Sequence, residues 1–163
     1  MSAIFKRTSV RKYENREVES EKIELLLKAA MAAPSAANQQ PWEFFVVKNK
    51  ETLAALATAS PYGGCVKDAA LAIVPVYRKE MMMPQFADID MAACTQNILL
   101  EVTELGLGAV WIGIAPQEER MEAVRKVLNV PDHLQPYAII SIGYPAAEAE
   151  QQDRFDATRV HFE

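Results

Sequence analysis

The chain predicts an α+β fold, an α/β sandwich in which one central mixed sheet is flanked by helices. Two observations carry this expectation. Helical and strand-like runs roughly alternate along the chain. The strand-like runs "WEFFVVK", "AALAIVPVY" and "YAIISIGY" are rich in β-branched, aliphatic and aromatic residues and read as largely buried strands. No internal repeat and no low-complexity linker interrupts the 163 residues, so a single domain spanning 1–163 is expected.

From about Ser20, "SEKIELLLKAAMAA" places Ile23, Leu26, Leu27, Ala30 and Met31 on one helical face. Pro34 ends that run, because the residue before a proline resists the α region. The strand "WEFFVVK" follows a ten-residue connection. Asn49 then caps a short helix, "KETLAALATA", which leads to the turn "SPYGG". Pro75 lies inside the strand "AALAIVPVY" and predicts a sheet edge or a bulge there.

The longest element is a helix from about Ala87 to Leu105. Ile89, Ala92, Ala93, Leu99 and Leu100 mark one face, while Met91, Ile98 and Val102 widen the apolar surface beyond it. A helix apolar on several sides is buried on several sides. In a small domain that predicts a partner subunit. Gly106 supplies its C-cap. "AVWIGI" is a further strand, "PQEERMEAVRKVL" a helix opened by proline, and "YAIISIGY" the last strand before the tail "DRFDATRVHFE".

Composition excludes several functions. A net charge of -5 and a pI near 5.2 argue against a nucleic-acid surface. No apolar run approaches the ~18 residues of a membrane span, and "MSAIFKRTSV" lacks a signal peptide's apolar centre, so the cytoplasm is expected. Cys65 and Cys94 are too few for a disulfide framework or zinc site, and His133 and His161 have no partner at ligand spacing. Neither histidine stands near a serine in a nucleophile elbow. The glycines of "GLGAVWIG" follow a helix, so they serve a cap and a close contact rather than a nucleotide fingerprint. Chemistry at this site is therefore expected from a cofactor.

Two stretches point to what that cofactor is. In "RTSVR", Arg7, Ser9 and Arg11 alternate, so an extended segment projects all three to one side as an anion receptor. The tail adds Arg154 and Arg159. In "APSAANQQPW", prolines stiffen a loop whose amides donate and accept at once.

Together these segments resemble the nitroreductase family of flavin enzymes over nearly the whole chain. The resemblance rests on five ordered motifs. They are Arg7, Ser9 and Arg11; Pro34, Ser35, Asn38, Gln40, Pro41 and Trp42; Asp90, Gln96, Asn97 and Gly106 to Gly108; Trp111 to Gly113; and Ile142 to Pro145, followed by Arg154.

The resemblance implies FMN at a homodimer interface. Arg7, Ser9 and Arg154 would hold its phosphate, with Thr8 beside them. Arg11 would stand at the pyrimidine edge, where a fixed charge favours the electron-rich ring. Asn38 would pair with the ring's polar edge, Pro34, Ser35 and Ala36 would approach from the partner, and Ile112 and Gly113 would set backbone against it. No residue of the chain would be catalytic in its own right. The implied activity is reduction of nitroaromatic, quinone or similar planar acceptors by NADH or NADPH, with ping-pong kinetics. Dehalogenation, dehydrogenation, flavin cleavage or non-catalytic FMN binding are the alternatives. Glu101 replaces a residue that is often small and apolar in the family. The chain also lacks the long insertion of larger members, so Met81, Met82, Met83 and Phe86 are the candidate substrate cover.

Overall fold

A computed structural model describes residues 2–147, 150 and 153–163. Helices α1 (Ala3–Lys6), α2 (Ser20–Met31), α3 (Lys50–Leu56), α4 (Ala87–Glu104) and α5 (Glu118–Leu128) enclose strands β1 (Trp42–Val47), β2 (Leu71–Arg78), β3 (Gly108–Gly113), β4 (Leu134–Pro136) and β5 (Ala138–Gly143). The sheet runs β1-β2-β5-β3, with β4 also paired to β2. All its strand pairs are antiparallel; a parallel pairing enters through the isolated bridge of Ser9 with Ala109.

The sheet separates two apolar layers because its strands alternate Cβ atoms between two covered faces. On one face Leu71, Ile73, Ala109, Ile140 and Ile142 meet α2 and α4 through Leu26, Met91, Ile98 and Val102. On the other, Val74, Val76, Val110, Ile112 and Ile139 meet Leu53, Leu56 and Val124 of α3 and α5. Both predicted caps form. The Asn49 side chain accepts from the Thr52 N–H at 2.9 Å. Gly106 adopts φ +71, and the Gly106 and Leu107 N–H groups close on the carbonyls of Thr103 and Val102.

Three expectations are narrowed or change. Of the two readings for Pro75, the edge is wrong and the bulge holds: it sits in an interior strand, where the step from Ile73 to Val76 faces the longer stretch from Ile140 to Pro136. Its missing N–H is tolerated where β2 passes from β5 to the separate strand β4, and its carbonyl accepts from Tyr137 between them. Met31 is exposed, so α2 buries Ile23, Leu26 and Ala30 instead. The core face of α4 is Met91, Cys94, Ile98 and Val102; Ile89 is 63% exposed and Leu100 half-buried. The expected face is thus split: Leu99 is buried in the core and Ala93 packs against it, while Ile89 and Leu100 are left toward the outside. A groove of about 410 Å³ on that side is lined by Ile4, Ala29, Ala32 and Leu100. Among the described residues, no helix is long and apolar enough to cross a membrane.

Candidate functional site

The segment after α1 runs along the outer edge of β3. The Val10 N–H donates to the Ala109 carbonyl at 2.9 Å, and Val10 lies so close to Gly108 that a Cβ there would meet Val10 Cγ1 at 2.7 Å. The phenol of Tyr13 pins the same segment. It lies 2.8 Å from the Val10 carbonyl and 2.7 Å from Ser141 Oγ. Burial holds its pKa well above the ordinary phenol value, so it remains a donor.

With Val10 and Tyr13 turned to the sheet, Ser9 and Arg11 are exposed, and Arg7 and Thr8 are half-buried. Arg7 and Thr8 line a cavity of about 120 Å³ with Leu99, Val102 and Thr103 of α4. Among the described residues, Arg7, Ser9 and Arg11 make no ion pair or side-chain hydrogen bond. Two unpaired guanidinium forks and a hydroxyl on one short segment are a donor set suited to a phosphate. Arg154 is likewise exposed, whereas Arg159 is engaged by Asp156 at 3.0 Å.

Downstream on the same edge, β3 ends at Gly113. The carbonyls of Ala109 and Gly113 both point outward, the first to Val10 and the second to Arg120 Nη1 at 3.0 Å. Antiparallel phasing therefore turns the Gly113 N–H to the same edge. A Cβ built at Gly113 meets no atom within 4 Å, so a flat group can approach the backbone there. Ile112 points the other way. Its side chain is buried against α3 and α5, and its amide group faces β5.

The loop from Pro34 to Gln40 is ordered by a carboxylate. Asp90, only 4% exposed in the first turn of α4, accepts from the Ala36 N–H at 2.9 Å and from Gln39 Nε2 at 2.6 Å. Gln39 also pairs with both backbone groups of Met83, donating to its carbonyl and accepting from its N–H. Arg78 closes the loop from below, on the carbonyls of Gln39 and Gln40. Ala37, Asn38 and Gln40 all take left-handed φ of 44–52°, a strain that these anchors sustain. Asn38 is exposed, its Oδ1 accepting from Gln40 Nε2.

These two clusters do not meet within one chain. The loop precedes β1, at one margin of the sheet, and Gly113 ends β3 at the other, about 14 Å away over three strand spacings. Asp90 under the loop and Thr103 beside Arg7 are separated by about 20 Å along α4. Arg7, Thr8, Ser9, Arg11 and Gly113 therefore share one edge, while Pro34, Ser35, Ala36 and Asn38 stand at the opposite corner. Sequence reasoning named Asp90 as a motif residue of the long helix but not as the anchor of this loop, and it missed Gln39, Arg78 and Arg120. An acidic residue opening a long apolar helix was the available signal for the first.

Comparison with known proteins adds the following. The model of the nitroreductase family matches residues 4–83 and 61–144. A Methanothermobacter thermautotrophicus protein named "Putative NADH dehydrogenase/NAD(P)H nitroreductase" is 43% identical over 164 residues, covering 100% of this chain and 86% of that protein. The structure of an FMN-dependent nitroreductase from Clostridium difficile superposes with TM-score 0.91 at 36% identity, over 99% of this chain and 97% of the other. A Desulfovibrio desulfuricans protein solved in complex with FMN gives 0.85 at 31% identity, over 99% and 94% of the two chains.

Proposed function

This chain belongs to the nitroreductase family, and we propose that it is an FMN-dependent oxidoreductase assembled from two copies of itself. Electrons enter from NADH or NADPH and leave to a planar acceptor such as a quinone or nitroaromatic. The single observation that carries the reading is the separation just described. Unpaired phosphate-type donors lie on one edge, and a rigid, amide-bearing loop lies at the opposite corner, an arrangement that a second copy docked edge to loop would bring onto one ligand.

In this reading Arg7, Ser9 and Arg154 hold the FMN phosphate, with Thr8 alongside. Arg11 and the Gly113 N–H serve the ring from the same chain. Pro34, Ser35, Ala36 and Asn38 come from the partner as one unit, because Asp90 fixes them together. The outward stripe of α4, with Ile89 and Leu100, and the exposed Ile4 and Phe5 of α1 supply the apolar surface for the second copy.

FMN, when bound, supplies the two-electron redox chemistry. The chain orients it and shapes its electrostatics. Arg11 places a fixed positive charge that need not reorganise as electrons arrive. The Gly113 N–H donates from a strand already held by β5. Met82, 78% exposed, and the half-buried Phe86 form an adaptable wall for a planar acceptor, anchored through Met83 to Gln39. Donor and acceptor would take turns at one open face, which makes the kinetics ping-pong.

The test is an anaerobic titration of purified protein with FMN added. A yellow complex that bleaches with NADH or NADPH and recolours with a quinone or nitroaromatic supports the reading. Protein that takes up no FMN overturns it. A complex that binds FMN but never bleaches leaves an FMN-binding protein and refutes the enzyme.

A further inference from the structure

Arg120 occupies an unfavourable position for its own helix. It lies in the first turn of α5, where the helix dipole disfavours a cation and where its neighbours, Glu118 and Glu119, are the expected acids. Helix propensity gives no reason for a positive charge there. The structure supplies another. Arg120 Nη1 donates to the Gly113 carbonyl at 3.0 Å, and the guanidinium lies 5.7 Å from the centre of the Tyr62 ring, within cation–π range. Among the described residues it makes no ion pair. Glu119 and Gln117 flank it in an adjoining cleft of about 470 Å³.

Two consequences follow from that placement. A fork on the Gly113 carbonyl fixes the last peptide of β3, where the strand has run out of sheet partners on its outer side. It also puts a positive charge with no ion-pair partner among the described residues on the carbonyl of the same glycine whose N–H faces the open edge. When a flat group covers that edge and displaces water, the charge is poorly screened. Tyr62 shields its other side.

We propose that Arg120 is a positioning residue of the ring site: through Gly113 it holds the edge peptide and, with Arg11, raises the reduction potential of FMN bound there. This rests on the FMN reading above. Positive charge beside the ring stabilises the added electrons, so removing it makes reduction harder.

The experiment measures the midpoint potential of FMN-loaded protein by anaerobic equilibration with a reference dye, together with the FMN dissociation constant. Wild type is compared with Arg120→Gln, Arg120→Lys and Tyr62→Ala. The expected result is a more negative potential for Arg120→Gln and an intermediate one for Arg120→Lys. Tyr62→Ala should shift in the same direction by less, because the charge is then open to solvent. FMN affinity should change little, since the phosphate donors are elsewhere. Equal potentials in wild type and Arg120→Gln, with FMN bound in both, overturn this proposal and leave the FMN reading standing. Wild type that takes up no FMN overturns both.

Discussion

Gln39 and Asp90 lie 2.6 Å apart, Nε2 to Oδ2, and this contact joins the loop ahead of β1 to the first turn of α4. The carboxylate is almost wholly buried and also holds the Ala36 N–H. Removing it leaves two donors without their acceptor. Hydrogen bonds to a charged group are each worth about 1.5–3 kcal/mol, so Asp90→Ala should lower stability by that order. For a chain of this size each kcal/mol lowers Tm by about 2–4 °C. The left-handed Ala37, Asn38 and Gln40 should relax, and the loop should become protease-sensitive. Asp90→Asn should lose less, keeping the shape and one acceptor. An unchanged Tm and cleavage pattern in Asp90→Ala would count against this role.

Gly108 is needed for space. A methyl group there would overlap Val10 at both its Cβ and Cγ1, and the overlap involves atoms next to the backbone, which cannot swing aside. Gly108→Ala should cost about 1–3 kcal/mol as overpacking and push the segment carrying Arg7, Ser9 and Arg11 off the β3 edge. FMN affinity should fall together with Tm. A variant that loses Tm but binds FMN as wild type does would show that the segment's position is unimportant.

Acid should loosen the N-terminal segment at Glu19. Its carboxylate accepts from the Tyr144 hydroxyl at 2.7 and 2.9 Å, and its pKa is lowered from 4.5 to about 2, chiefly by that hydrogen bond. A backbone contact, Lys22 and Arg16 assist. A carboxylate with a lowered pKa stabilises the folded state above its ordinary pKa, and that stabilisation is lost as pH falls from about 4.5 toward 2. Tm should therefore drop across this window, and Tyr144→Phe should flatten the drop while lowering Tm at neutral pH. The same pH profile for both proteins would refute the assignment.

The two arginines of "RTSVR" should differ in role. Arg7→Ala should weaken FMN binding about ten- to hundredfold, the loss of one charge-assisted hydrogen bond. Lysine at position 7 should restore little of it, since a phosphate favours the fork. Arg11→Ala should instead lower the potential of bound FMN and slow its reduction at saturating FMN, with lysine restoring much of both. Potentials that agree within error between wild type and Arg11→Ala would contradict the second assignment.

Much of this architecture was legible in the chain because local chemistry dictates it. Asn49 and Gly106 declare a helix start and a helix stop by hydrogen-bonding capacity and by φ alone. The apolar strands needed only composition. What stayed hidden depends on distant partners. Periodicity marked Ile89 and Leu100 as apolar on α4, yet the sheet took the Met91–Ile98 side. Pro75 reads equally as an edge or a bulge until β4 and β5 are seen to split opposite it. The loop "APSAANQQPW" was recognisable as a shaped polar segment, but not its dependence on Asp90, which lies 50 residues away. Arg120 looked like one more charge on an amphipathic helix, since nothing local connects it to Gly113.

The division of the site between two chains is tested most directly by mixing them. Arg7→Ala removes a donor from the β3 edge. Asn38→Asp alters the loop with a residue of the same shape that tolerates a left-handed φ. If each site takes its edge from one chain and its loop from the other, a heterodimer of the two variants contains one doubly altered site and one intact site. FMN titration of that heterodimer, isolated through two different affinity tags, should then show one equivalent binding with wild-type affinity, although neither homodimer binds so tightly. A heterodimer with no wild-type site, both equivalents binding as weakly as in the parent variants, would place edge and loop in the same chain and contradict the account.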